Sequence, residues 1–173
     1  IYWVRQNGEI FRNTFINVVP DNDVNAIWIY GTDDAGNVPD IAYNTFYGIQ
    51  EHVFRNESSG ILQVYNNVFD SCLRVIGDYG SGDYVLRNNI FNLYSGQMAY
   101  DMALSVNYDM DYNLYTNEFA NMFGTGYSTI ASVQPTFENN ALVDDPEWTT
   151  DYMVDGDSPV IDQGISHSYS LDY

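Results

Sequence analysis

The sequence predicts an all-β fold, a right-handed parallel β-helix (β-solenoid) of about five coils with an irregular C-terminal closure. Three observations predict it. The first is a recurring phrase, asparagine, any residue, then an aromatic: Asn13-Thr14-Phe15, Asn44-Thr45-Phe46, Asn67-Val68-Phe69, Asn89-Ile90-Phe91 and, more loosely, Asn113-Leu114-Tyr115. Successive asparagines stand 31, 23, 22 and 24 residues apart, the period of one solenoid coil. The second is that columns aligned on the asparagine keep their character. Three residues before it stand Ile10, Ile41, Val64, Leu86 and Met110, all apolar, and four before it Glu9, Asp40, Gln63, Val85 and Asp109, mostly polar. The third is that sustained 3.6-residue periodicity is lacking, with at most a short turn over Asn117–Phe123.

Neighbouring strand residues face opposite ways, so the apolar column points inward and the polar one outward. The asparagines Asn13, Asn44, Asn67, Asn89 and Asn113 are placed at a corner, where Asn tolerates awkward backbone angles and bonds nearby main chain. Stacked coil on coil, each amide can donate to the next asparagine's carbonyl, forming a ladder. The aromatics two residues on should stack inside. Asn-rich loops of a β-sandwich are the competing reading. Sandwich strands recur every 8–12 residues or so and would not hold three columns in register.

A second set of strands is expected at Ala26–Gly31 and Cys72–Gly77, both ending in glycine. Turns rich in Gly, Asp, Asn and Ser separate the strands at 32–37, 56–60 and 78–83. The first coil is longer than the rest, so 19–25 or 32–40 should project as an insertion, of the kind that gathers on a binding face. Residues 1–116 are assigned to coils and 117–173 to a closing segment of the same domain. The chain opens at Ile1 in a strand-like phrase with no capping helix before it. We therefore expect a piece of a longer protein, or a cap supplied by a neighbour.

Twenty-four acidic residues face five basic ones, all arginine, for a formal charge of −19. Five cations cannot neutralise a phosphate track, so nucleic acid is excluded as a partner, and anionic membrane surfaces are disfavoured. No apolar run is long enough to span a bilayer. The lone Cys72 permits no internal disulfide and reads as a small buried hydrophobe. Asn56-Glu57-Ser58 fits a glycosylation acceptor, a match near chance in this length. His52 and His167 lack ligand partners at metal spacing and read as packing or surface residues.

The tail reads Asp145-Pro146, Asp151-Tyr152, then Ser158-Pro159-Val160-Ile161-Asp162-Gln163-Gly164. With the Asn-x-Phe coils, it resembles secreted right-handed parallel β-helix proteins of the pectate-lyase-like superfamily. That resemblance spans about residues 8–165. It implies an extracellular or cell-surface location and polysaccharide as ligand, with lyases, hydrolases, epimerases and inert adhesins all on the same fold. Lyases of this kind use calcium held by carboxylates with a Lys or Arg base, whereas this chain has no lysine. Hydrolases use clustered aspartates. Asp33-Asp34 could suggest such a pair, but its Gly and Thr flanks read as an exposed turn.

The outward face beside the asparagine ladder is the expected glycan site. It carries Gln63, Tyr65, Arg87, Asp109 and Asp111, with Tyr65 as stacking platform and Arg87 expected to pair with Asp111. Asp21, Asp23 and Asn25 have the alternating oxygens a calcium ion needs, without the glycine and distal glutamate of a complete EF-hand loop. Two functions compete. One is an extracellular module that binds or processes polysaccharide on a side face. The other is a non-catalytic structural or adhesive module that meets neighbouring protein chains through its coil ends.

Overall fold

A computed structural model of the chain describes residues 2–4, 8–16, 25–30, 39–93, 98–101, 107–116, 121–123 and 140–145. They form three parallel sheets. The first sheet stacks β1 (Tyr2–Val4), β4 (Ile27–Tyr30), β7 (His52–Glu57), β10 (Arg74–Asp78), β13 (Met98–Asp101) and β16 (Asn121–Phe123). The second stacks β2 (Glu9–Phe11), β5 (Asp40–Ala42), β8 (Leu62–Tyr65), β11 (Tyr84–Arg87) and β14 (Tyr108–Asp111). The third holds β3 (Thr14–Ile16), β6 (Thr45–Tyr47), β9 (Val68–Asp70), β12 (Ile90–Asn92), β15 (Leu114–Tyr115) and β17 (Leu142–Val143). The chain visits the sheets in rotation, and each strand pairs in parallel with its equivalent one coil away. That is a β-solenoid. No helix among the described residues is long and apolar enough to cross a membrane.

The columns read from the sequence are the register of these sheets. Ile10, Ile41, Val64, Leu86 and Met110 pair in succession along the second sheet, and all are buried. In the third sheet the rings of Phe15, Phe46, Phe69, Phe91 and Tyr115 stack with centroids 4.7, 5.3, 5.0 and 5.0 Å apart. Ile27, Phe54 and Ile76 form the inward column of the first sheet. Phe54 meets Phe46 and Phe69 edge-on and so ties the first sheet to the third.

The asparagine corner is a closed hydrogen-bond system. The Oδ1 of Asn67 accepts from the backbone N–H of Asn44 at 2.9 Å and from its Nδ2 at 3.1 Å. The Nδ2 of Asn67 donates to Asn89 Oδ1 at 3.1 Å and to the carbonyls of Ile41 and Tyr65, both at 2.9 Å. The same side-chain link runs from Asn13 to Asn44 and from Asn89 to Asn113. One expectation is corrected here. The residue bent into the left-handed region is the one before each asparagine: Arg12, Tyr43, Asn66, Asn88 and Tyr112, at φ of 53° to 57°. Holding a side chain there costs roughly 1–2 kcal/mol, which the ladder bonds of the next residue offset.

The sheets run on past Thr116, where the recurring phrase stops. Leu142 and Val143 pair with Leu114 and Tyr115, and Asn121 and Phe123 with Met98 and Tyr100. Ala141 occupies the corner position of this added rung: Leu142 N–H donates to the Asn113 carbonyl as Leu114 N–H does to that of Asn89. An alanine has no amide, so the ladder ends while the sheet continues.

Cys72 is buried, with its thiol 3.4 Å from the carbonyls of Phe46 and Asp70. Burial pushes the thiol up to about 12, so it is a packing group. Asn56 is 0 % exposed. Its amide donates to Tyr84 Oη at 3.0 Å and its oxygen accepts from Ser58. The acceptor sequence is therefore closed to glycosylation in the folded chain.

Candidate functional site

The outward faces of the second and first sheets carry polar and aromatic groups. On the second sheet, Tyr65, Arg87 and Asp111 fall in one column and Gln63, Val85 and Asp109 in the next. The structure thus brings the five expected residues together. It also shows how they are used. Gln63 donates to Asp40 at 2.8 Å and accepts from the Tyr65 hydroxyl at 2.6 Å. Arg87 Nη2 donates to Asp109 Oδ1 at 2.6 Å, not to Asp111 as expected. Asp111 is taken up at the corner, accepting from Asn140 N–H at 3.1 Å and Nδ2 at 3.0 Å.

Tyr65 is only 4 % exposed, so its ring offers no open platform. Burial, and then the Asp40 carboxylate, hold its hydroxyl above the usual phenol value. It therefore stays a proton donor to Gln63 across the neutral range. The hydrogen bond to Asp109 raises Arg87 in turn and fixes that pair. Most polar groups of this face are therefore spent on one another, while Arg87 Nε is buried without a hydrogen-bond partner among the described residues.

The face that sequence reasoning missed is the outer side of the first sheet. In β4, Ile27 and Ile29 point inward, which turns Trp28 and Tyr30 outward. Trp28 pairs with Arg55 and Tyr30 with Glu57 on the next coil. The Arg55 guanidinium lies 4.6 Å from the centroid of Trp28 on one side and 4.6 Å from that of Tyr79 on the other. Its Nε donates to Glu57 at 2.6 Å. Trp28 and Tyr30 meet edge-on at 6.2 Å. Tyr79, which frames Arg55, and Tyr30 beside Trp28 are 54 % and 46 % exposed. Beside them Arg74 donates to Glu51 at 3.2 Å, and Glu51 lies 3.3 Å from His52 Nδ1. Alternation in Ile27-Trp28-Ile29-Tyr30 was the available signal. The partner strand β7 hid it, because its burial does not alternate.

Of the two readings the sequence left open for His52, packing or surface, the structure shows packing: it is buried, and its ring fixes the local backbone. It meets Tyr79 edge-on at 5.8 Å. A Cβ on Gly77 would stand 2.6 Å from His52 Cδ2. Gly77 is the strand residue paired with Arg55, so the main chain cannot retreat. Gly77→Ala is expected to destabilise the chain by ~1–3 kcal/mol through overpacking. His52→Ala in the same chain should recover part of that loss, read as coupling in a double-mutant cycle by urea unfolding. Strictly additive effects would contradict the contact.

Among the described residues, no group of three or more His, Cys, Asp or Glu is placed to hold a metal ion. Asp21 and Asp23 lie outside the described residues, and Asn25 stands just before β4. Of the two stretches expected to project, 19–24 and 32–38 lie outside them, as do Asp33-Asp34 and His167, whereas Asp40 opens β5. No protein-family model, no curated protein and no solved structure matches this chain.

Proposed function

We propose that this chain is an extracellular β-solenoid module that binds polysaccharide on the outer face of its first sheet. One observation carries the reading: Arg55 is clamped between the rings of Trp28 and Tyr79 and bonded to Glu57, with Tyr30 and Tyr79 half-exposed beside it. Half-exposed aromatic rings next to fixed hydrogen-bonding groups suit a sugar, whose C–H face stacks on the side of a ring that Arg55 does not cover while its hydroxyls find polar partners. Polysaccharide as ligand, and the extracellular setting, come from the resemblance to pectate-lyase-like β-helices. Binding is favoured over processing because Glu57 and Glu51 are both engaged with arginines. Calcium at Asp21, Asp23 and Asn25 is a separate proposal, and no step of binding is routed through it.

The test is affinity electrophoresis of the chain through gels containing single polysaccharides. Retardation by at least one polysaccharide, abolished in the Tyr30→Ala/Tyr79→Ala double variant, is the expected result. No retardation, or a variant retarded like the parent, counts against the reading.

A structural module that meets neighbouring chains through its coil ends is the second reading. Its support is that, among the described residues, β3 ends its sheet and Asn13 there is exposed, unlike the ladder residues behind it. Sedimentation velocity over a wide concentration range decides it. A monomer at every concentration removes this reading.

A further inference from the structure

We infer that the glycan taken by the first-sheet face is neutral and linear, and lies along the solenoid axis; this rests on the glycan-binding reading above. Direction comes from register. Trp28, Arg55 and Gly77 pair in succession, so one outward column crosses three coils. In the adjoining column Tyr30 pairs with Glu57. Tyr79 stands one coil further, where its N–H donates to the Asn56 carbonyl at 2.8 Å. Coils lie about 4.8 Å apart, which sets Tyr30 and Tyr79 roughly 10 Å apart along the axis with Glu57 between them. A disaccharide unit covers that span. One ring can rest on each tyrosine while a hydroxyl from the linkage region donates to Glu57, which keeps lone pairs free beyond its bond to Arg55.

Charge decides the class. Among the described residues the cations of this face are Arg55 and Arg74, and each already holds a carboxylate, at 2.6 and 3.2 Å. A uronate would have to displace Glu57 from Arg55 and leave that glutamate without its partner. Among the described residues no surplus positive charge is there to reward the exchange. Screening at physiological salt weights the contest toward charges within ~8 Å, where each of the two described guanidinium groups of this face already faces a carboxylate. The chain's net charge of −19 adds no attraction for an anion. A neutral sugar asks for none of this rearrangement.

The experiment is calorimetric titration of the full chain with length-matched oligosaccharides, neutral glucans, xylans and galactans on one side and oligouronates on the other. Each is run in chelator and in calcium, at low and at high salt. We expect a neutral oligosaccharide to bind with little change between the two salts. Oligouronates should bind at least about tenfold more weakly, a difference of 1.4 kcal/mol. Tyr79→Ala should weaken the neutral ligand by about tenfold, and Tyr79→Phe should hold it near the parent value, which separates a lost platform from a disturbed fold. Oligouronate binding as tight as or tighter than neutral, with or without calcium, overturns the neutral class and leaves the glycan reading standing. Binding of nothing in any condition overturns the glycan reading itself.

Discussion

Phe69→Ala is expected to destabilise the chain by ~3–5 kcal/mol, the range for emptying an aromatic site in a packed core. Phe69 is fully buried at the middle of the aromatic stack, between Phe46 at 5.3 Å and Phe91 at 5.0 Å. Phe54 of the first sheet presses its edge on the same ring. Truncation therefore removes two stacked contacts, each worth ~0.5–1.5 kcal/mol beyond burial, and one contact that joins two sheets. The stack is held by backbone pairing on both sides, so the cavity cannot collapse freely. Set against a total stability of ~5–15 kcal/mol, the loss should be plain in urea unfolding. A change below ~1 kcal/mol would mean the column is not a load-carrying core.

Asn67→Ala should cost ~1–3 kcal/mol, chiefly because it orphans a buried donor. Asn44 N–H gives its bond to Asn67 Oδ1 at 2.9 Å, and Ile41 accepts from Asn67 Nδ2 at 2.9 Å. Both groups are enclosed by the coils above and below, so water cannot replace the lost amide. Asn67→Asp should be worse near neutral pH. A carboxylate can still accept from Asn44, but it faces the Asn89 oxygen and the Ile41 carbonyl without a proton to offer. Burial and those acceptors raise its pKa in the folded state above the unfolded value. The variant is therefore relatively more stable when protonated and loses stability as pH rises through the folded-state pKa. Unfolding measured across the acid range checks this. Equal stability of Asn67→Asp at acid and neutral pH would contradict the ladder geometry.

Much of the fold was legible because the third sheet and the asparagine corner impose identical demands on every coil. Each asparagine must satisfy the main chain of its neighbours, and each aromatic must match the ring above. Such constraints leave columns that a single sequence displays. Among its described side chains the first sheet shows no comparable ladder. Its inward column mixes Ile27, Phe54 and Ile76, and its glycine at 77 answers to one histidine rather than to a turn. The added rung at Leu142–Val143 escaped because Ala141 ends the asparagine signal there. The site was misplaced for a related reason. Tyr65 looked like a platform by alternation, yet it is drawn into a hydrogen bond with Gln63 and is buried. Tyr79 looked like part of a glycine-rich turn, yet it caps the guanidinium of Arg55.

The most direct measurement is a crystal structure of the chain with an oligosaccharide that binds it. A sugar ring stacked on Tyr30 or Tyr79, with a hydroxyl bonded to Glu57, is the result this account predicts. A sugar held instead on the second sheet, against Arg87 and Asp109, would contradict it.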